Sequence, residues 1–224
     1  MVSSSNELES LHKKLWSHID DEKKSWSSFV YAQEKGFYQG FDEINIDGCR
    51  PTEKRLDRYQ INDYLSNTKT ALDIGCNCGF FTLHVSNFLK HIDGVELNPF
   101  LIKIAKDTED FLKIQNTQFH NSSFEDFQTN KKFDIIFSLA NDETIDGNTK
   151  FTFEQYVEKI NSLLSSSGML MWETVSPDTF EPERFRPKLE ILQRYYEIVN
   201  DKMVKSEYPV NVPERRFLIF KKND

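Results

Sequence analysis

Leu8, Leu11, Leu15, Trp16 and Ile19 recur three and four positions apart with polar residues between them. That spacing predicts an amphipathic helix over residues 7–24, which needs a surface to lie on. The stretch from Trp26 to Gly48 carries Phe29, Tyr31, Phe37, Tyr38, Phe41 and Ile44 without sustained periodicity. It is too aromatic for disorder and reads as a packed cover or lid. A second helical pattern begins at Pro51 and runs through Leu56, Tyr59 and Ile61 to Leu65, with proline at a favourable helix start.

After Asn67 the pattern changes to short apolar runs alternating with helical stretches. The runs are 70–74, 92–96, 117–120, 133–139, 169–173, 196–204 and 216–220; the helical stretches are 80–89, 99–112, 151–164 and 180–195. This alternation predicts an α/β fold with a mostly parallel sheet and helices on both faces. Neither an internal repeat nor a linker interrupts it. The expected organisation is one compact domain, with an N-terminal helical extension and lid over residues 1–66 and a core over residues 67–224.

The length of 224 residues and the ordinary hydrophobic and charged fractions, 38% and 29%, allow a full core. Lys and Arg number 28 against 36 Asp and Glu, a net charge of −8. That balance argues against nucleic acid as partner, because phosphate contacts need clustered cations, and the lysine pairs 13–14, 131–132 and 221–222 are short and interspersed with acids. No apolar run approaches the roughly 18 residues of a membrane span. Met1 to Ser5 lacks the charged-then-apolar order of a signal peptide, so the expected location is cytoplasmic. Cys49, Cys76 and Cys78 read as free thiols, since the last two are separated by one residue.

The most informative segment is Leu72-Asp73-Ile74-Gly75-Cys76-Asn77-Cys78-Gly79-Phe80-Phe81, an apolar strand running into two glycines and then a helix. In an open parallel sheet such a turn lies at the carboxyl ends of the strands, where ligands bind. Glycine tolerates positive φ there and lets a ligand approach the backbone. The dinucleotide fingerprint requires glycine at positions 77 and 80, which are Asn77 and Phe80, so a pyrophosphate-binding turn is excluded. Glu96 ends the next apolar run, where an acid would hold a ribose diol. Both observations suit an adenosine-containing ligand without a diphosphate.

With Asp73, Gly75, Gly79 and Glu96 in these places, the chain resembles the class I S-adenosylmethionine-dependent methyltransferases across about residues 50–221. The resemblance implies a Rossmann-like methyltransferase fold, a seven-stranded sheet whose last strand, Arg215 to Phe220, is antiparallel, and S-adenosyl-L-methionine as cofactor. It implies cofactor contacts from Asp73, Gly75, Cys76, Asn77, Gly79 and Phe80 of the first turn and from Glu96 and Leu97 after the second strand. Ser123 and Phe124 after the third strand would flank the adenine, with Ser123 in place of the more usual Asp. Ser138 and Leu139 fall in the fourth motif, Phe133 to Asp142, which lines the methyl-transfer site. Gly48-Cys49-Arg50-Pro51-Thr52-Glu53-Lys54-Arg55 followed by Tyr59 is similar to bacterial methyltransferases of cell-surface polysaccharide pathways, although the Ala-Asn-His of that group reads Ala140-Asn141-Asp142 here.

Methyl transfer from a sulfonium is an in-line displacement, so the protein positions the acceptor and removes its proton. Asp142, Glu173 and Glu143 are the candidate catalytic carboxylates, expected to face one crevice above the sheet, with His120 as a further candidate base that more simply plays a structural part. Asp142, Asp146 and Glu173 are an alternative cation-ligand set, although their spacing is not diagnostic. Arg55, with Arg50, would bind the cofactor's carboxylate or an acceptor phosphate, or else form surface ion pairs. Tyr38, Tyr59 and Trp172 read as packing residues. The implied function is methyl transfer to a small polar acceptor, foremost a hydroxyl of a sugar or polysaccharide. The alternatives are a small, possibly phosphorylated amine, or a non-catalytic cofactor-binding partner protein.

Overall fold

The computed structural model describes residues 5–31, 36–143 and 149–223. The reading of Met1 to Ser4 and the candidate ligand Asp146 lie outside them. The elements are α1 (Ser5–Ser25), β1 (Gln39–Gly40), β2 (Arg50–Pro51), α2 (Thr52–Tyr59), β3 (Thr70–Ile74), α3 (Phe80–Ser86), β4 (His91–Glu96) and α4 (Pro99–Leu112). They continue as β5 (Thr117–Asn121), β6 (Phe133–Leu139), α5 (Phe153–Leu163), β7 (Leu164–Glu173), α6 (Ser176–Phe180), α7 (Pro182–Gln193), β8 (Tyr196–Lys205) and β9 (Glu214–Lys222).

Seven strands form one sheet in the order β5, β4, β3, β6, β7, β9, β8. The first five run parallel, and β9 pairs antiparallel with both β7 and β8. The order reverses beside β3, so the carboxyl ends of β3, β4 and β6 open a crevice at the switch point. This is the Rossmann-like arrangement expected from the sequence. Alternating residues serve opposite faces. Leu218 and Phe220 of β9 join Trp172 and the α5 and α7 side, whereas Phe217 and Ile219 join α2 and α3 through Leu56, Tyr59, Phe81 and Val85.

Element ends follow local chemistry. Asn98 caps α4 by accepting from the Phe100 amide at 3.0 Å, with Pro99 in the first turn, and Thr152 and Gln155 form a reciprocal capping box on α5. The second predicted helix stops early, at Tyr59, because Gln60 is left-handed at φ 51° and a 3-10 turn, Asn62–Tyr64, follows. The expected helix over 180–195 is α7, which Pro182 opens, and a short helix that was not expected, α6, precedes it. β7 begins at Leu164, five residues before the predicted start, directly after α5.

α1 finds its surface on α4. Leu11, Leu15 and Ile19 are buried among Leu101, Ile102, Ala105 and the α3 residues Phe80 and Leu83. His18 and Lys14 both reach Asp107, at 2.7 and 2.6 Å. Among the described residues no helix is long and apolar enough to cross a membrane. Leu15 is fully buried, so Leu15→Ala is expected to lower unfolding free energy by about 2–5 kcal/mol in urea titration. An unchanged midpoint would show that α1 is not docked as described.

Candidate active site

The crevice holds an open cavity of about 1160 Å³, including its mouth. Its floor is the end of β3 and the turn after it, namely Asp73, Ile74, Gly75 and Asn77, and its far side is Glu96, Leu97, Asn98, Ser122, Ser123 and Phe124. Leu139, Ala140, Asn141 and Tyr156 close a third side, and the cover supplies Trp26, Phe29, Tyr31, Tyr38, Gln39 and Arg55.

Each wall is fixed by specific bonds. Glu96 accepts from the Asn77 amide with one oxygen (3.0 Å) and from the Asn98 amide with the other (2.9 Å), which locks the β3 turn to the start of α4. Gly75 sits at φ 64°, and a Cβ there would lie 2.9 Å from Asn141 Nδ2, so glycine is required both by conformation and by that approach. Asn141 donates to the Ile74 carbonyl and accepts from Ser138 (2.9 Å) and Tyr156 (2.8 Å), joining the ends of β3 and β6. Asp73 accepts from Thr82 at 2.6 Å; burial outweighs that bond and pushes its carboxyl up to about 7.

Gln39 is a contributor that the sequence reading missed. Its side chain donates to the Cys76 carbonyl at 3.1 Å and accepts from the Phe80 amide at 2.9 Å, so it caps α3 from outside. Gly79, the N-cap of α3, has no side chain to do this. Nothing in a lone Gln within the cover segment marks this role. Asn141 and Tyr156 were likewise missed, although the fourth-motif neighbourhood pointed to the first.

Of the expected cofactor contacts, Asp73, Gly75, Asn77, Glu96, Leu97, Ser123, Phe124, Leu139 and Arg55 line the cavity. Cys76 and Phe80 point into the core, and Ser138 stands one layer back, holding Asn141. Gly79 is small for packing, since a Cβ would meet Ala105 and Phe119 at 2.7 Å. Ser123 bonds Asp126 at 2.7 Å. Tyr38, read as packing, is on the wall, whereas Tyr59 and Trp172 pack as expected.

The expectation that Asp142, Glu143 and Glu173 share this crevice is corrected, because none of the three lines it. Asp142 turns to Lys188 of α7 (2.6 Å) and Trp172 Nε1 (3.3 Å), and Lys188 is shared with Asp178 at 2.5 Å. Glu143 is exposed and bound by Arg184 at 2.6 Å, which lowers its pKa. Glu173 takes both guanidinium nitrogens of Arg50, at 2.6 and 2.9 Å, and the Tyr59 hydroxyl, with Arg215 3.6 Å away. Burial would raise its carboxyl, but Arg50, Arg55 and Arg215 outweigh that and hold it at about 2. A carboxylate so paired is a poor proton acceptor at neutral pH. Asp142 and Glu173 stand in these separate ion clusters, which does not favour the shared cation site. His120 bonds Asp93 at 2.6 Å and does not line the cavity either.

A family profile described as a methyltransferase domain matches residues 65–212. The chain belongs to this methyltransferase family. It is 30% identical over 143 residues to a malonyl-[acyl-carrier protein] O-methyltransferase of Ilyobacter polytropus, covering 59% of this chain and 51% of that protein. It is 35% identical over 94 residues to a 23S rRNA (uracil(1939)-C(5))-methyltransferase of Francisella tularensis subsp. novicida, covering 42% of this chain and 20% of that one. The chain thus spans about half of the first relative and a fifth of the second. In fold it is similar to the N-methyltransferase NodS of Bradyrhizobium japonicum, solved with S-adenosyl-L-homocysteine, at TM-score 0.60 and 14% identity over 96% of this chain and 99% of that one. A class I S-adenosylmethionine-dependent methyltransferase structure from Listeria monocytogenes aligns at TM-score 0.64 and 14% identity, over 97% of this chain and 69% of that one. These likenesses support the methyltransferase expectation and not the narrower one of a polysaccharide pathway.

Glu22 of α1, buried and bonded to Asn98 Nδ2 at 2.6 Å, is pushed up to about 7, chiefly by burial and further by nearby Glu96. Because the folded protein holds this proton while the unfolded chain loses it near the ordinary carboxylate value, this group's stabilisation is present below about pH 4.5 and lost as pH rises towards 7. Thermal melts should therefore show less decline between pH 5 and 7.5 in Glu22→Gln than in the native chain; an equal decline would assign the effect elsewhere. Glu173→Gln should cost about 3–5 kcal/mol, by leaving Arg50 without its counter-charge. Denaturant titration checks it, and a loss under 1 kcal/mol would contradict the pairing.

Proposed function

We propose that the chain transfers the methyl group of S-adenosyl-L-methionine to a small polar acceptor. The observation that carries the reading is the pairing of Glu96 with the β3 turn. An acid closes one end of the cavity beside the backbone amides of Asn77 and Asn98, and Asn77 Oδ1, although buried, has no hydrogen-bond partner among the described residues. An unpaired buried oxygen costs free energy; a donor such as a ribose hydroxyl or an amino group would satisfy it. The residues therefore fit a nucleoside carrying an amino-acid arm.

Glu96 and Asn77 would hold the sugar; Leu97, Ser123 and Phe124 would flank the base; Asp73 and Gly75 would face the charged arm. When bound, the cofactor supplies an electrophilic methyl on a positively charged sulfur. The chain's part is to orient it, exclude water with Trp26, Phe29 and Tyr31, and hold the acceptor in line. Glu96 places negative charge near a cationic ligand, which favours binding. The acceptor is small because the opening lies under the cover, and the net charge of −8 disfavours a polyphosphate chain.

A hydroxyl acceptor would need a base, and the three expected carboxylates are engaged elsewhere, so a sugar hydroxyl remains a reading on sequence likeness alone. In calorimetry, S-adenosyl-L-homocysteine should bind the native chain, and Glu96→Ala should weaken binding at least tenfold, about 1.4 kcal/mol. Equal affinity would remove Glu96 from the site, and no binding to the native chain would overturn the reading.

A further inference from the structure

Among the described lining residues, Arg55 is the one guanidinium or amine and no histidine is present. Arg55 is 3% exposed and among the described residues donates only to the Tyr59 hydroxyl, from Nε (3.2 Å) and Nη2 (3.0 Å), while lying over the rings of Tyr59 and Phe81. Unlike Arg50 and Arg215, it makes no ion pair among the described residues. Behind it those two guanidiniums are buried as well, and both turn to the same carboxylate, Glu173.

Three buried guanidiniums therefore face one bonded carboxylate. Asp73 and Glu207 act on Arg55 and Arg50 only across space; burial pushes Asp73 up to about 7, and Glu207 is engaged by Arg58. Buried charge in excess of its counter-charge is costly. Arg50 Nε is buried without an acceptor among the described residues, and Arg215 Nε has only Glu173 at 3.6 Å, beyond hydrogen-bond distance. The Tyr38 phenol, on the same part of the wall, would be raised by burial, yet Arg50, Arg55 and Arg215 bring it below its ordinary value. The cluster is short of an anion.

We propose that the acceptor is a carboxylate, seated against Arg55 and Tyr38 and methylated on its own oxygen; this rests on the methyltransferase reading above. A carboxylate is already ionised and needs no base, and it matches the planar fork of a guanidinium. One carboxylate oxygen forms the new bond to the methyl carbon as the carbon–sulfur bond breaks, and that electron pair stays on sulfur. A negative acceptor and a positive sulfonium become a neutral ester and a neutral thioether, and no proton moves. Charge neutralisation within a low-dielectric site favours such a step, because the separated charges are those that burial penalises most.

The test titrates malonate into protein saturated with S-adenosyl-L-homocysteine, using the full chain. Saturable binding is expected in the native protein. Arg55→Gln should weaken it at least tenfold and Tyr38→Phe by a smaller factor, with circular dichroism melts confirming that both variants are folded. Should Arg55→Gln fail to fold, Tyr38→Phe and the native titration still decide. Malonate that binds only without the homocysteine product and is displaced by it would mean that the guanidinium holds the cofactor's own carboxylate, and the proposal falls while the methyltransferase reading stands. Equal binding to Arg55→Gln or Tyr38→Phe overturns it too. If the homocysteine product fails to bind the native chain, both readings fall. With methyl-tritiated cofactor and a panel of short dicarboxylates, sugars and amines, the expected product releases methanol in mild alkali; an alkali-stable methylated sugar or amine would overturn the proposal.

Discussion

The bidentate contact between Arg50 and Glu173 joins the segment before the core to the carboxyl end of β7, and the assembly of the cavity depends on it. Two buried ions are worth having together only when geometry is good and the remaining hydrogen-bonding capacity is used. Here Tyr59 takes a further lone pair of Glu173, and its ring stacks on Phe217 at 4.2 Å. β2 and α2 are therefore pinned over the sheet by charge, hydrogen bond and apolar contact at one point. β1 pairs with β2, and Gln39 on β1 reaches the turn after β3. Loss of the ion pair would reach the cavity through this short chain of contacts.

The turn after β3 is held from several sides. Gln39 caps α3, Glu96 binds the Asn77 amide, and Asn141 bonds the Ile74 carbonyl. Donors and acceptors on the wall are thus placed before any ligand arrives, which is how a polar site avoids reorganisation during a reaction. The same tightness explains the glycines. Gly75 leaves room for Asn141, whereas Gly79 leaves room for Ala105 and Phe119, and both take a left-handed backbone, at φ 64° and 72°.

Acidic residues divide into separate electrostatic jobs. Asp73 and Glu96 belong to the cavity wall, Glu173 balances buried arginines, and Asp142 shares Lys188 with Asp178 on the far side of β7. The net charge of −8 is therefore not one acidic funnel. The cover end of the cavity is locally cationic inside an acidic molecule, which total charge cannot reveal.

Periodicity determined the element types and most strand positions, because a period of two or 3.6 reports which face is buried whatever lies against it. The β3 turn and Glu96 were legible for a related reason: glycine and acid there answer to backbone geometry within one βαβ unit, and local sequence encodes it. The direction of Asp142, Glu143 and Glu173 was not legible. Each ends or follows a strand at the crevice, but its partner comes from 123 residues earlier in the case of Arg50 and 46 later in that of Lys188. Gln39, which acts 41 residues away at Phe80, was hidden for the same reason. The sequence by itself determined the sheet and the place where a ligand enters. Which charged groups remain available there was decided only by tertiary structure, since a carboxylate's role depends on the cation that long-range packing brings to it.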